Sequence, residues 1–167
     1  MVIHELAVPV PEQVQAALDA APTALLARAR ERAQAAGVKY AGGLFPPEAW
    51  ALFQAGLATL IDVRTAEERK FVGHVPHTGH VAWQTGPAML KNPRFLRDLE
   101  KIAAKQDVIL LLCRSGKRSA AAAEAATAAG FQNVFNVLEG FEGDLDERQQ
   151  RGESGGWRLR GLPWVQD

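Results

Sequence analysis

The segment from residue 107 to residue 130 constrains the fold most strongly, because it combines a strand, a polar loop and a helix. Residues 108–112 read Val-Ile-Leu-Leu-Leu, which has the length and composition of a strand buried on both faces. Residues 120–129 are rich in alanine and predict a helix, and Gly130 follows where a helix commonly ends. The loop between them begins with Cys113, the only cysteine of the chain.

The position of Cys113 favours a reactive thiolate over a structural cysteine. Backbone N–H groups at a helix start are unpaired and carry partial positive charge, which stabilises an anionic sulfur. Arg114, Lys117 and Arg118 add positive charge, and Gly116 lets the loop curl so that its amides face inward. A structural cysteine, the usual role of a free cysteine, belongs inside the apolar strand rather than at its end. We therefore interpret Cys113 as a nucleophile.

Four segments of the chain match the pattern of a known family. Residues 62–68 read Asp-Val-Arg-Thr-Ala-Glu-Glu and residues 73–76 read Gly-His-Val-Pro. Residues 113–119 read Cys-Arg-Ser-Gly-Lys-Arg-Ser, and residues 138–141 read Leu-Glu-Gly-Phe. In this order they resemble the DVR-T-x-E-E segment, the G-H-I-P turn, the active-site loop and the L-x-G-G-x run of rhodanese-like sulfurtransferases. The resemblance covers about residues 40 to 167.

The resemblance implies sulfur transfer through a cysteine persulfide. In the family, the cysteine accepts a sulfane sulfur and passes it to a nucleophile, while the loop amides cradle the extra sulfur. Carried over to this sequence, Cys113 is the catalytic residue, and Asp62 and Arg64 are supporting residues with a mainly structural role. We also expect Arg64 to form an ion pair with Glu67 or Glu68. The implied substrate-binding loop consists of Arg114, Ser115, Gly116, Lys117, Arg118 and Ser119.

The charge of this loop favours a small anionic sulfur donor. Its three cations attract thiosulfate or a polysulfide and hold the departing charge, and its hydroxyl groups add hydrogen-bond donors. Because there is no second cysteine, the acceptor must come from outside: cyanide, a small thiol or a cysteine of a partner protein. We expect no cofactor. We also expect no metal, since the spacing of His74, His77 and His80 is not that of a helical pair and nothing completes a ligand set.

Two other classes of function match parts of the sequence. Cysteine phosphatases and arsenate reductases use C-x5-R, whereas here Ser119 stands six positions after Cys113 and Arg118 falls one position early. The loop is therefore one residue too short for a tetrahedral oxyanion. The second class is a non-catalytic interaction module, a role of rhodanese-like domains that lack the cysteine. The intact Cys113 and its basic loop argue against it.

Alternating strands and helices predict an α/β fold with a mainly parallel sheet, and the family implies five strands flanked by helices. Thr65 and Glu68 form a T-x-x-E capping box for one of the helices. We expect a short acidic helix that ends near Gly152 and an aromatic tail, residues 157–164, that packs back on the sheet. The predicted strands are residues 40–45, 57–63, 81–83, 108–112 and 133–138.

Residues 1–38 predict a helical extension, and the resemblance implies a rhodanese-like domain over residues 39–167. Pro11 opens a first helix, Pro22 begins a second one and Gly37 ends it. We favour an extension that packs on the domain's own surface. The alternative is a helical hairpin for self-association as a homo-oligomer or for docking of a partner.

Composition and the first residues bear on the partners and the location of the protein. The formal net charge of zero gives no reason to expect nucleic acid or a membrane surface as partner. The first residues lack the basic and apolar regions of a secretion signal, which favours the cytoplasm.

Overall fold

The computed structural model describes residues 10–167, so the expectation about a secretion signal in the first nine residues lies outside the described part. The helices are α1 (Glu12–Asp19), α2 (Pro22–Ala36), α3 (Pro46–Gln54), α4 (Ala66–Phe71), α5 (Phe95–Ile102) and α6 (Lys117–Ala128). The strands are β1 (Gly42–Leu44), β2 (Thr59–Asp62), β3 (Gly79–His80), β4 (Gln84–Thr85), β5 (Leu90–Lys91), β6 (Val108–Leu112) and β7 (Asn133–Val137). No helix in this part is long and apolar enough to cross a bilayer.

A five-stranded parallel sheet with the order β1-β7-β6-β2-β3 forms the centre of the molecule. The predicted α/β fold is therefore confirmed. The apolar run of β6 occupies the middle strand, where both faces of the sheet are covered. All five strands are parallel, so their carboxyl ends meet at one edge, and the polar residues that follow β2, β6 and β7 come together there.

Side chains of β6 alternate between two apolar clusters on opposite faces of the sheet. Leu110 and Leu112 pack in one cluster with residues of α1, α2, α3 and the C-terminal tail. Ile109, Leu111 and Cys113 pack in the other with residues of α5 and α6. The alternation continues through Cys113, so the strand itself directs this side chain toward the α6 face of the sheet.

The N-terminal helices pack on the rest of the molecule through their apolar sides, α2 against β1 and α1 against α3. Leu25 and Ala29 are buried in the same cluster as the strand residues. An added Cβ at Gly42 of β1 would lie 2.5 Å from the Ala29 carbonyl carbon, so α2 and β1 approach backbone to backbone. Arg32 of α2 donates to both Glu48 carboxylate oxygens of α3 at 2.7 and 3.1 Å. The domain division at residue 38 and self-association through these helices stay predictions.

Two local predictions need correction, and a third agrees with the structure. The fifth strand of the sheet is β3, just before the predicted residues 81–83, and the chain then forms a separate hairpin of β4 and β5. The predicted acidic helix before Gly152 is a series of turns, because the Asp146 carboxylate accepts from the Arg148 and Gln150 amides. The tail does pack back: Trp157 is fully buried against the sheet.

The close contact of α2 with β1 gives a stability test. We expect Gly42→Ala to destabilise the protein by about 2 to 3 kcal/mol, because the added methyl group meets helix backbone that cannot move aside. Gly43→Ala is the matched control: its Cβ would meet the Leu138 side chain at 3.0 Å, and that side chain can change rotamer. Urea denaturation of both variants measures the difference. Equal losses would contradict the close packing of α2 on β1.

Candidate active site

Cys113 follows β6 directly and lies at the carboxyl edge of the sheet, beneath the loop that leads into α6. The helix begins at Lys117, three residues earlier than the alanine run alone predicts, with Gly116 as its N-cap. Lys117 and Arg118 are therefore residues of the first helical turn rather than loop residues. The sulfur side chain is almost fully buried, at 1% exposure.

Within the described part of the chain, two groups lie at hydrogen-bond distance from the Cys113 sulfur. The Gly116 amide donates to Sγ at 3.1 Å, and Ser119 Oγ lies 3.1 Å from the same atom. Gly116 has φ +100, a left-handed conformation that glycine adopts readily and that turns its amide back toward the strand end. The next amides open α6, where N–H groups have no partner within the helix. Of the predicted backbone donors, the Gly116 amide is the one that donates to the sulfur among the described residues. The unpaired amides of the helix start lie next to it in the chain.

The turn after β7 binds the carbonyl groups of the same loop. The Phe141 amide donates to the Cys113 carbonyl at 2.8 Å, and the Glu142 amide donates to the Arg114 carbonyl at 2.9 Å. Gly140 permits this contact, since an added Cβ there would lie 2.5 Å from the Arg114 carbonyl carbon. With its carbonyls bonded to this turn, the loop is free to direct the Gly116 amide at the sulfur. The run Leu138 to Phe141, noted through the family resemblance, is thus part of the site.

Asn136 of β7 is a residue of the site that the sequence analysis missed. Its Nδ2 donates to the Gly116 carbonyl at 3.1 Å, which fixes the amide orientation and turns Oδ1 toward Ser119. Ser119 Oγ donates to that Oδ1 at 2.5 Å. A serine hydroxyl has one proton, so in this orientation Ser119 turns a lone pair toward the sulfur and does not donate a hydrogen bond to it. The available signal was a buried amide within an apolar strand, which requires hydrogen-bond partners.

The three cations of the loop are not equivalent. Arg118 donates to both carboxylate oxygens of Glu68 at 2.7 and 2.8 Å. Its charge is therefore neutralised by a residue of α4. The expected ion pair of Arg64 with Glu67 or Glu68 is wrong, since Glu68 binds Arg118 instead. Arg114 and Lys117 are exposed and make no ion pair within residues 10–167.

Burial and the ion pair act in opposite directions on Glu68 and Arg118. Desolvation favours the neutral forms, but the mutual hydrogen bonds and charges outweigh it. The pKa of Glu68 is lowered, with help from the Thr65 amide, and the pKa of Arg118 is raised, with a further contribution from the Cys113 charge. The predicted Thr65 and Glu68 capping box is present at the start of α4, so one carboxylate both caps a helix and binds the active loop.

Asp62 and Arg64 form a fully buried ion pair below the loop. The Arg64 guanidinium donates to Asp62 at 2.8 Å and to the Gly73 carbonyl at 2.8 Å. It also lies 4.3 Å from the centre of the Phe141 ring, and Phe141 holds the Cys113 carbonyl. The ion pair therefore positions Phe141, which binds the Cys113 carbonyl, and forms no hydrogen bond with the sulfur. This geometry agrees with a structural role.

Two histidines of the segment from His74 to His80 form hydrogen bonds with backbone carbonyl groups. His80 Nε2 lies 2.7 Å from the Arg64 carbonyl and His74 Nδ1 lies 3.4 Å from the Arg69 carbonyl. Among residues 10–167, no group of three metal-ligating side chains is close enough to hold an ion.

The lowered pKa of Glu68 predicts how stability depends on pH. The ion pair stabilises the protein fully above the ordinary glutamate pKa of about 4.3, and this contribution is lost as pH falls through the lower folded-state pKa. Glu68→Gln should therefore destabilise the protein most near neutral pH, and the difference from wild type should shrink below about pH 4. Urea denaturation across this range measures it. The adjacent Glu67→Gln is the control, with no such pH-dependent loss; a constant loss in Glu68→Gln would contradict the ion-pair origin.

The hydroxyl orientation imposed by Asn136 predicts an effect on sulfur reactivity. In Asn136→Leu, the Ser119 hydroxyl is free to donate to the Cys113 thiolate, which stabilises the anion. We expect alkylation by iodoacetamide at about pH 6 to become about fivefold faster, since a hydrogen bond to a charged group contributes about 1 kcal/mol or more. The rate of mass gain by the intact protein measures this. In a Ser119→Ala background, Asn136→Leu should have no such effect, and an equal acceleration there would refute the mechanism.

Comparison with known proteins identifies the family. A sequence model of the rhodanese-like domain matches residues 45–147, which is more than half of the chain. An uncharacterized protein of Rickettsia rickettsii, the RP600 homolog, is 38% identical over 114 residues, covering 64% of this chain and 82% of that protein. The senescence-associated protein DIN1 of Raphanus sativus is 38% identical over 92 residues, covering 54% of this chain and 49% of that protein.

Solved structures share the fold. The crystal structure of Rv0390 from M. tuberculosis is 41% identical in sequence, with a TM-score of 0.69, and the match covers 77% of this chain and 99% of that one. The polysulfide-sulfur transferase homodimer of Wolinella succinogenes is 21% identical, with a TM-score of 0.53 and 87% of each chain covered, which supports the fold alone. The family model matches more than half of the chain, and the parallel sheet with the cysteine loop at its edge agrees with it. This chain therefore belongs to the rhodanese-like domain family.

Proposed function

We propose that the protein is a sulfurtransferase that moves a sulfane sulfur from thiosulfate or a polysulfide, through a persulfide on Cys113, to cyanide or a thiol. The observation that supports this most directly is the Gly116 amide, which donates to Sγ at 3.1 Å at the first turn of α6. A persulfide is anionic, so the same amide and the unpaired N–H groups of the helix start stabilise its charge.

The reaction with thiosulfate balances without a redox partner. The Cys113 thiolate attacks the outer sulfur of the donor and a new S–S bond forms. The S–S bond of thiosulfate breaks, and its electron pair leaves with sulfite. The charge that remains on the terminal sulfur of the persulfide is stabilised by backbone amides, which need no reorganisation during the step. No cofactor is required.

Among residues 10–167, two of the three cations predicted to attract the donor, Arg114 and Lys117, form no ion pair. Since both terminal nitrogens of Arg118 are bonded to Glu68, attraction of an anionic donor depends mainly on Arg114 and Lys117. Both side chains are exposed and flank the loop, which suits recruitment of a doubly charged anion from solvent. Polysulfide is a second donor to test, because a protein of the same fold from Wolinella succinogenes is a polysulfide-sulfur transferase.

The rival functions have less support. Oxyanion chemistry of the phosphatase type needs a guanidinium that closes over the substrate, and Arg118 is held away from that role by Glu68. A purely non-catalytic module has no need of a cysteine held between an amide and a hydroxyl group.

The experiment that tests the proposal is intact-protein mass spectrometry after incubation with thiosulfate, mercaptopyruvate or a polysulfide. We expect the wild-type protein to gain the mass of one sulfur atom, and later treatment with a reducing thiol to remove it. Cys113→Ser is the matched control and should gain nothing. The Ser115 hydroxyl, which is also predicted to bind substrate, forms no hydrogen bond with the sulfur within the described residues.

Two results would contradict sulfur transfer. The first is no mass gain with any of the three donors in a folded protein, which would favour a binding module. The second is turnover of an aryl phosphate or arsenate that is lost in Cys113→Ser, which would favour oxyanion chemistry.

A further inference from the structure

A cleft of about 460 Å³ lies among the two N-terminal helices, the start of α3, the turn after β7 and the C-terminal tail. Cys113 and the residues of its loop are not among the described residues that line it, so the cleft is separate from the proposed active site. Its volume is typical of sites that bind small organic molecules. Half of the lining residues are apolar, namely Ala16, Ala17, Leu25, Phe45 and Pro47. They offer a surface for the apolar part of a ligand.

Hydrogen bonds among the polar lining residues hold the walls of the cleft together. Arg160 of the tail donates to the two carboxylate oxygens of Glu139 at 3.0 and 2.8 Å. The same guanidinium donates to the side-chain oxygen of Gln13 in α1 at 3.1 Å. Glu139 also accepts from the Gly156 amide at 2.9 Å. These bonds join three segments of the chain, so the cleft is formed before a ligand binds, which reduces the cost of ordering it.

Arg28 of α2 is the charged lining residue that forms no hydrogen bond among residues 10–167. Its Nη1 lies 3.9 Å from Glu48 Oε2, which is too long for a hydrogen bond. Glu48 already has partners, because Arg32 donates to both of its carboxylate oxygens and the Phe45 amide donates to Oε1 at 2.9 Å. Glu48 is therefore shared between two arginines and neutralises Arg28 only in part.

We propose that this cleft binds a small organic carboxylate, with its apolar part against the apolar wall and its carboxylate on Arg28. A guanidinium binds a carboxylate through two parallel hydrogen bonds, and the donors of Arg28 are available for them. A cationic ligand is disfavoured, because Glu48 and Glu139 both accept hydrogen bonds from arginines already. The proposal does not depend on sulfur transfer. Most of the lining lies outside residues 45–147, so the site belongs mainly to the segments that flank the matched domain.

Isothermal titration calorimetry with three probes of equal chain length and different charge tests the proposal: octanoate, 1-octanol and octylammonium. We expect saturable binding of octanoate at one site, weaker binding of 1-octanol and no binding of octylammonium. Arg28→Gln should raise the Kd of octanoate about tenfold, because it removes the charge-assisted hydrogen bonds, and should leave the Kd of 1-octanol unchanged. Arg30→Gln is the matched control. It removes the same charge from the same helix, but this side chain lies outside the cleft and donates to Asn133.

A second pair of variants tests the location of the site. Ala16 is exposed on α1, so Ala16→Trp can fill the cleft without disturbing the core, and we expect it to abolish binding of octanoate and 1-octanol. Gln15→Trp is the control, because Gln15 is exposed on the same helix and does not line the cleft. It should retain both affinities.

Several results would overturn the proposal. They are the absence of saturable octanoate binding, equal affinity for octanoate and 1-octanol, equal effects of Arg28→Gln and Arg30→Gln, and equal effects of Ala16→Trp and Gln15→Trp. Dissociation of a dimer by octanoate, measured by size-exclusion chromatography with light scattering, would also overturn it, since the cleft would then belong to a second copy of this chain. Absent sulfur loading of Cys113 would contradict the proposed function and leave these binding results unchanged.

Discussion

The bonding of the Cys113 and Arg114 carbonyl groups to the turn after β7 is the interaction on which the site depends. A peptide group directs its N–H and its C=O to opposite sides, so a loop surrounds an anion with donors only if its carbonyls find partners elsewhere. The Phe141 and Glu142 amides supply those partners, and Gly140 permits the close approach. The site is therefore shared between two segments, the loop after β6 and the turn after β7.

Two ion pairs fix the positions of these segments relative to the chain that follows β2. The Asp62 and Arg64 pair supports Phe141 from below, and Glu68 fixes Arg118 at the first turn of α6. Such pairs add little net stability, since desolvation offsets much of their attraction, but breaking one leaves a buried charge without a partner. Their role here is to set geometry. They also decide which cations of the loop stay available: those that face solvent, Arg114 and Lys117.

Segments outside the matched domain complete the surroundings of the site. Helix α2 covers β1 and α1 packs on α3, and both helices share the apolar cluster of Trp157, which belongs to the C-terminal tail. The tail in turn follows the segment that brings Arg151 to a cleft beside the loop. The region matched by the family model thus supplies the cysteine and its amides.

The sequence by itself determined the parallel sheet, the position of Cys113 at its edge and the capping box of α4, because each depends on periodicity or on residues close together in the chain. It did not determine the partner of Glu68, since fifty positions separate that residue from Arg118 and Arg64 is a nearer cation. Nor did it determine the role of Asn136, which reaches Ser119 only when β7 lies beside β6. Hydrogen bonds and ion pairs act over a few ångströms of space, so the tertiary structure alone decided which distant residues meet.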